Sequence, residues 1–132
     1  MIDNDNTVLN PTITDEHTQT EMLDFDYIKS IGGWSFVKTI TPLFLKGSRD
    51  SLRRVIFCNE ENDFEGIQFG LHKLQGTANI IGALRMVRYI MSIQLLIERR
   101  EKTTNFRSLL NKEIERLVDH FNDLENFLKN PD

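Results

Sequence analysis

His72 is the residue of this sequence whose neighbours best suit chemistry. A histidine side chain has an unperturbed pKa of about 6.5, so a neutral imidazole is a usable nucleophile near pH 7. Phe69, Gly76 and Asn79 stand three residues before it and four and seven residues after it, and on a helix these positions share one face. The pattern predicts an imidazole beside a bare patch of helix, where a second molecule can approach closely.

The predicted position of His72 is the rim of a helical core. It follows Leu71, which belongs to an apolar series with steps of three and four residues: Phe64, Ile67, Leu71, Leu74, Ala78 and Ile81. Successive helical residues are about 100° apart, so His72 is expected beside the buried face with one ring edge in water. A glycine inside a helix costs about 0.5–1 kcal/mol relative to alanine, and nothing in the helix requires Gly76. Thr77 and Asn79 are expected to keep the surroundings polar, and Lys73 to supply a nearby positive charge.

Residues 72–83, HKLQGTANIIGA, resemble the signature of histidine-containing phosphotransfer (HPt) domains, which is His-x-Leu-Lys-Gly-Ser/Thr followed by Gly-Ala. The similarity extends over about residues 24–129, through FDYI and GG in 25–33, LFL at 43–45 and NDF at 62–64. The resemblance implies that His72 accepts a phosphoryl group and that Gly76 lets a receiver domain dock.

Gln94 matches a glutamine found in several members of that family, 22 residues after the histidine. On the expected fourth long helix it is in phase with residues that we assign to the inward face, Leu84, Val87 and Met91. A buried amide needs a hydrogen-bond partner. We expect Gln94 to bond one ring nitrogen of His72, which would fix the tautomer and leave the other nitrogen free to attack.

Gln75 is the main departure from the family pattern, which usually has a lysine at this position. By resemblance, that lysine would hold the phosphoryl group or meet the acidic site of the partner. Gln75 can donate hydrogen bonds but has no charge. Lys73 and Arg85 are the candidates to replace the missing cation, and the expected consequence is slower transfer or weaker binding.

The elements that must position these residues are all predicted to be helical. Apolar spacing predicts a short helix at 24–31 and long helices at about 34–57, 63–81, 84–100 and 105–129. Leu84, Val87, Met91 and Leu95 are expected to face inward. Short connections favour antiparallel neighbours, so the expected fold is all-α, an up-down-up-down four-helix bundle with a short additional N-terminal helix.

The expected helix boundaries rest on a few residues. Gly32-Gly33 and Gly82 are predicted stops, and Asp63 is a predicted N-cap. Thr104 is a second candidate cap. Pro42 has no N–H to give to the carbonyl four residues back, so it is expected to kink or restart the long helix.

Composition indicates one soluble domain behind an acidic tail. The 132 residues hold 16 basic and 20 acidic side chains, and seven of the carboxylates lie in residues 1–26, which lack Lys and Arg. We therefore expect a flexible tail at 1–22 and an HPt-like bundle at 23–130. Residues 27–132 are too weakly basic for a nucleic-acid surface. The absence of a signal-like N-terminus and of a long apolar run, with Cys58 as the one cysteine, favours a cytoplasmic setting without disulfides or membrane contact.

The expected function is that of a phosphoryl carrier in a two-component phosphorelay. By resemblance, the partners are response-regulator receiver domains and a hybrid sensor histidine kinase, and the receiver brings the Mg²⁺. No cofactor or metal site is expected in this chain. It also lacks a Gly-rich nucleotide motif, so we expect no ATP-dependent kinase activity of its own. A monomer is expected.

Two other functions compete with this one. A non-phosphorylated adaptor that binds a receiver or kinase is consistent with Gln75. A small helical enzyme or metal protein is disfavoured, because the histidines are scattered without a Glu-x-x-His pair. His17 and His120 are interpreted as incidental and Cys58 as a small apolar filler. The pairs Arg53-Arg54 and Arg99-Arg100 are interpreted as ordinary helix-end charge.

Overall fold

Helical spacing of apolar residues produces five α-helices in residues 21–130, the part of the chain that the computed structural model describes. They are α1 (Phe25–Ile31), α2 (Gly33–Glu60), α3 (Phe64–Ile81), α4 (Leu84–Glu98) and α5 (Phe106–Lys129), with a 3₁₀ turn at Arg100–Lys102. The described residues contain no strand, so the predicted all-α class is confirmed. Residues 1–20, most of the predicted tail, lie outside the described part.

The chain enters the fold at the connection between α3 and α4. Leu23 is fully buried, and the N–H of Asp24 donates to the carbonyl of Gly82 at 2.8 Å. Asp24 also caps α1, because its carboxylate accepts from the N–H of Tyr27 at 3.1 Å. Gly82 ends α3 in the left-handed region with φ 72°, and a side chain there would meet the ring of Tyr27. The predicted boundaries at Asp24 and Gly82 are confirmed.

Helix α2 runs without interruption through Pro42, so the expected restart at this residue is wrong, while the alternative, a kink, stays a prediction. Pro42 is exposed, as is Lys38, whose carbonyl is the one that proline leaves without a donor. Water can therefore solvate that carbonyl, and the cost of the missing hydrogen bond stays small. Thr41, the expected cap of a restarted helix, instead donates its hydroxyl to the Val37 carbonyl at 2.7 Å, inside the continuous helix.

Helices α2 and α3 make the most extensive contact between elements. The apolar series of α3 is buried as predicted, apart from a half-buried Phe64. Gly70 allows the close approach: a Cβ there would lie 2.9 Å from Val55 Cγ2 and 3.3 Å from the Ser51 carbonyl oxygen. Gly70 is therefore a packing residue that the sequence analysis missed. The spacing Gly66-x-x-x-Gly70 was the available signal.

Helix α4 is rotated relative to its predicted orientation. The buried residues are Met86, Ile90, Ile93 and Ile97. The assignment of Leu84, Met91 and Leu95 to the interior is wrong, since their side chains are 36%, 53% and 46% exposed. Val87 is half-buried. Both series have helical spacing, so periodicity alone could not decide between them. We call Leu84, Val87, Met91 and Leu95 the α4 strip.

Helix α5 begins at Phe106, after Asn105 rather than after the expected cap Thr104. Asn105 takes a left-handed conformation with φ 59°, which asparagine tolerates better than most residues. The expected inward residues of α5 are buried, except for a half-buried Phe106: Leu110, Leu117, Phe121, Leu124 and Leu128. His120, for which the sequence predicts no role, is buried among them.

Each helix contacts the next one along the chain, and the last helix also contacts the second. Helix α2 contacts α1 and α3, α3 contacts α4, α4 contacts α5, and α5 contacts α2. Two ring pairs join α2 to α5, Trp34 to Phe127 at 6.0 Å and Phe44 to Phe121 at 6.3 Å between ring centroids. At the other end of α2, the side-chain amide of Asn59 donates to that of Asn111 at 2.9 Å.

Two glycines of α3 should respond oppositely to the same substitution. Gly70→Ala should lower the free energy of unfolding by about 1 kcal/mol, because overpacking against Val55 outweighs the gain in helix propensity. Gly76→Ala is the matched control: no atom lies within 4 Å of its added Cβ. It should raise the free energy of unfolding by about 0.5–1 kcal/mol. Urea unfolding followed by circular dichroism measures both, and a stabilising Gly70→Ala would contradict this packing.

Candidate functional site

The position of His72 is set by the cap and the buried face of α3. The carboxylate of Asp63 accepts from the N–H of Gly66 at 2.9 Å and so fixes the first turn. Leu71 and Leu74 are fully buried on either side of the histidine in sequence. His72 itself is exposed, as are the other members of its stripe, Phe69, Gly76 and Asn79. The ring is therefore accessible from solvent.

Gly76 leaves the surface beside His72 bare. An added Cβ at this position would meet nothing within 4 Å. The hydroxyl of Thr77 donates to the Lys73 carbonyl at 3.0 Å, so it is satisfied within the helix. Gly76 has no packing role in the described structure, in contrast to Gly70 on the same helix. The open space fits a second molecule approaching His72.

Cations from two helices gather around Phe69, the residue one turn before His72. The ring of Phe69 is half exposed, with the Arg54 guanidinium carbon 4.7 Å and the Lys73 ammonium nitrogen 5.4 Å from its centroid. Arg54 comes from α2, where the sequence predicts only ordinary helix-end charge. Cation–π stacking holds the guanidinium near the surface and limits its freedom.

Arg54 and His72 line one shallow open depression. Its other lining residues are Asp63, Glu65, Gly66, Gln68 and Phe69. The depression therefore contains a nucleophile, a planar cation and two carboxylates. Arg54 supplies positive charge on the side of α3 that faces α2, where a phosphoryl group on His72 would have a guanidinium within the same depression. The sequence did not predict that Arg54 and His72 line the same depression.

Gln94 bonds to Gln75 instead of to His72. Its side-chain N–H donates to the Gln75 side-chain oxygen at 3.2 Å. Gln68 in turn donates to the Gln94 backbone carbonyl at 3.3 Å. Within residues 21–130, His72 makes no hydrogen bond to the protein. The expected partner was wrong because α4 turns its isoleucine face inward, which carries Gln94 to the edge of the α3–α4 contact.

The remaining predicted site residues are spread over the exposed face of α3. Lys73 and Asn79 are exposed, and Gln75 is half-buried through its contact with Gln94. Arg85, a candidate replacement for the missing lysine, is half-buried on α4 and acts electrostatically on His120. Arg54 and Lys73 are thus the cations beside Phe69, while Arg85 serves a different part of the molecule.

His120 occupies an apolar setting in the contact between α4 and α5. Its ring lies 5.3 Å from that of Tyr89, and its Nε2 is buried without a partner among the described residues. Burial, and then the positive charge of Arg85, lower the pKa of His120 from 6.5 to about 4. Two histidines of this chain therefore differ sharply: His72 is exposed, and His120 is enclosed in its neutral form at pH 7.

Comparisons with models of known protein families, with curated proteins and with solved structures find no match to this chain. In residues 21–130, no helix is long and apolar enough to cross a membrane. The same residues contain no group of three or more His, Cys, Asp and Glu side chains placed to hold a metal ion.

The depressed pKa of His120 should make folding stability depend on pH. The unfolded chain takes up a proton at this site below about pH 6.5, whereas the folded chain resists protonation until about pH 4. The stabilisation is full above pH 6.5 and should be lost as the pH falls from 6.5 to 4, by about 3 kcal/mol in total. Urea unfolding at a series of pH values from 7 to 4 measures the loss.

His120→Leu is the matched variant for this experiment. It removes the titrating ring and keeps an apolar side chain, so its stability should fall less steeply between pH 6.5 and 4. The difference between the two curves isolates His120 from the carboxylates that titrate in the same range. Parallel curves for the two proteins would contradict the assignment.

Proposed function

We propose that this chain is a histidine phosphotransfer protein of a two-component phosphorelay, with His72 as the phosphoryl acceptor. One observation carries the proposal: an exposed imidazole lies one helical turn from a glycine with open space beside it. The resemblance of residues 72–83 to the HPt signature points to the same pair of residues. An incidental surface histidine would need neither the glycine nor the signature.

The proposed reaction needs little from the chain beyond a positioned nucleophile. An unprotonated ring nitrogen of His72 attacks the phosphorus of a receiver's aspartyl phosphate. The N–P bond forms while the P–O bond to the aspartate breaks, which releases the carboxylate and leaves phosphohistidine. The reverse step on a second receiver passes the group onward. Such transfers depend mainly on alignment and charge stabilisation, and the Mg²⁺ is supplied by the receiver.

Arg54 is proposed to supply the charge that Gln75 lacks. Its guanidinium stacks on Phe69 and shares a depression with His72. A planar guanidinium suits phosphoryl oxygens, because it donates parallel hydrogen bonds. Gln75 is engaged with Gln94, so Arg54 and Lys73 are better placed than Gln75 to meet an anion at His72.

The helices are proposed to form an antiparallel up-down-up-down four-helix bundle of α2 to α5, with α1 as the additional N-terminal helix. Support comes from contacts between opposite ends of α2 and α5: Trp34 meets Phe127, while Asn59 meets Asn111. The two-residue link between α3 and α4 also favours antiparallel neighbours. The site would then lie on the outer surface of one helix pair.

The proposed partners are response-regulator receiver domains and a hybrid sensor histidine kinase. The exposed face of α3 and the adjoining α4 strip offer a receiver a histidine, a bare glycine and apolar area to cover. We propose a cytoplasmic monomer that carries the phosphoryl group without ATP-dependent kinase activity, cofactor or metal of its own.

The proposal predicts a labelled histidine at position 72. Incubation of the chain with a receiver domain phosphorylated on aspartate, in Mg²⁺, should transfer the phosphoryl label to the chain. The label should be acid-labile and base-stable, as phosphoramidates are. His72→Gln should abolish it, whereas His17→Gln should leave it unchanged. Label that survives His72→Gln would refute the assignment.

Arg54 offers a second prediction with a control at the next residue. Arg54→Ala should slow transfer several-fold at saturating Mg²⁺, because positive charge is lost near the transferring group. Arg53→Ala should have little effect, since Arg53 lies beside Asp50 at 3.5 Å and does not line the depression. Arg54→Lys should fall between them. Equal rates for the two alanine variants would exclude Arg54 from the site.

A non-phosphorylated adaptor remains the second candidate function. One observation favours it: Gln75 bonds to Gln94 where the HPt pattern has a lysine. The transfer assay separates the two candidates, because an adaptor would bind the receiver and retain no acid-labile label on His72.

A further inference from the structure

The α4 strip is an apolar surface that no described residue covers. Met91 and Leu95 are about half exposed, and Leu84 is 36% exposed. With Ser92 and Gln94, these residues line a long open groove that runs from the first turn of α4 to Glu98. Large apolar side chains that face solvent side by side along one helix are a candidate binding surface.

The groove adjoins the proposed phosphotransfer site. Gln94, one of its lining residues, donates to Gln75, which stands one helical turn after His72. Anything that covers the α4 strip as far as Gln94 therefore lies next to the face on which a receiver would dock. A molecule bound in the groove would therefore restrict the approach of a receiver to His72, because the two surfaces are adjacent.

The N-terminal segment enters the fold at one end of this groove. Leu23 is buried, and Asp24 is fixed to Gly82 by a backbone hydrogen bond. Asp24 and Tyr27 line a depression together with Leu84 and Val87, the first members of the α4 strip. Residues 1–20 are thus attached to the chain within one helical turn of the groove.

Charge complements this placement. Residues 1–20 hold four carboxylates, no lysine or arginine, and several apolar side chains, including Val8, Leu9 and Ile13. Helix α4 and its C-cap contribute Arg85, Arg88 and Arg99 against the single carboxylate of Glu98. An acidic segment with apolar side chains matches a basic helix with an apolar strip in both respects.

The segment is long enough for the groove. The strip from Leu84 to Glu98 is about 21 Å long at 1.5 Å per helical residue. Twenty extended residues reach about 66 Å. Because the segment is covalently attached, its effective concentration at the groove is of millimolar order, and a weak intrinsic affinity suffices for occupancy.

We propose that residues 1–20 bind along the α4 strip and compete there with the receiver domain. The competition rests on the proposed function, whereas the binding does not. The segment occupies the groove with its apolar side chains on the α4 strip and its acidic groups on the basic side of α4. A partner that binds the same surface must displace it, so transfer to His72 is slower in the covered chain.

Paramagnetic relaxation in the 132-residue chain tests the binding directly. Asn6→Cys places one reactive thiol in the segment for a nitroxide label. Cys58 is buried, and burial, then the nearby Asp63 carboxylate, raise the pKa of its thiol, so it should resist labelling. Amide signals of Leu84–Glu98 should lose intensity relative to the reduced label, while those around exposed Phe57 on α2 should keep it.

Two further variants and one control variant assign the cause of the broadening. Neutralising the segment with Asp3→Asn, Asp5→Asn, Asp15→Asn and Glu16→Gln should restore the α4 signals, as should Met91→Lys. Phe57→Lys, at a 62% exposed apolar residue of α2, should leave the broadening in place. Even broadening over the whole surface, or broadening centred on α2, would overturn the proposal.

A mixed sample tests a second copy of this chain as the occupant. Isotope-labelled chains without nitroxide are combined with unlabelled chains that carry it. The proposal expects no loss of α4 signals in this mixture, because the segment binds its own chain. Broadening that appears only between chains would overturn it in favour of self-association.

Transfer kinetics test the competition separately. The neutralised variant should accept the phosphoryl group from a receiver several-fold faster than the wild-type chain. Broadening of α4 with unchanged transfer rates would overturn the competition. If neither chain accepts label on His72 while the broadening persists, the proposed function fails and the binding of residues 1–20 stands.

Discussion

The orientation of α3 is the constraint on which the rest of the site depends. Its rotation about its own axis is fixed by a continuous buried series that includes Ile67, Leu71 and Leu74, each contributing about 1.5–3 kcal/mol when fully buried. Turning the helix to bury His72 would expose two of these leucines at once. Gly70 strengthens the constraint, because a shift of α3 would bring bulkier neighbours against Val55. The imidazole of His72 faces water because the apolar residues near it in sequence, Leu71 and Leu74, are held in the core.

Sequence periodicity predicted the elements well where one apolar series dominated. The buried face of α3, its cap at Asp63 and the stop at Gly82 follow from local rules that operate within a few residues. The prediction failed on α4, whose sequence is apolar on more than one side. There the choice between the isoleucine series and the α4 strip depends on which face α3 and α5 present, and that is a tertiary fact. The position of Gln94 was wrong for the same reason.

The chemistry of the site was predictable in part. His72 and the bare Gly76 lie four residues apart on one helix, so spacing sufficed to place them on the same exposed face. Arg54 is eighteen residues before His72 on a different helix, and only the packing of α2 against α3 brings it over Phe69. Pro42 shows the opposite case: a strong local signal for a break did not end the helix, at a position where Pro42 and Lys38 are both exposed to solvent. Local sequence rules fail where a packed neighbour or the solvent changes the free-energy cost of a local conformation.

The enclosure of His120 has a consequence for reagents as well as for protons. A small water-soluble phosphoryl donor needs no docking surface, so its selectivity among histidines is set by access to the ring nitrogens. His120 has its Nε2 buried and its ring beside that of Tyr89, whereas His72 is exposed to solvent. Within residues 21–130, the interior thus shields the imidazole of His120 from a dissolved reagent, whereas the imidazole of His72 is open to one.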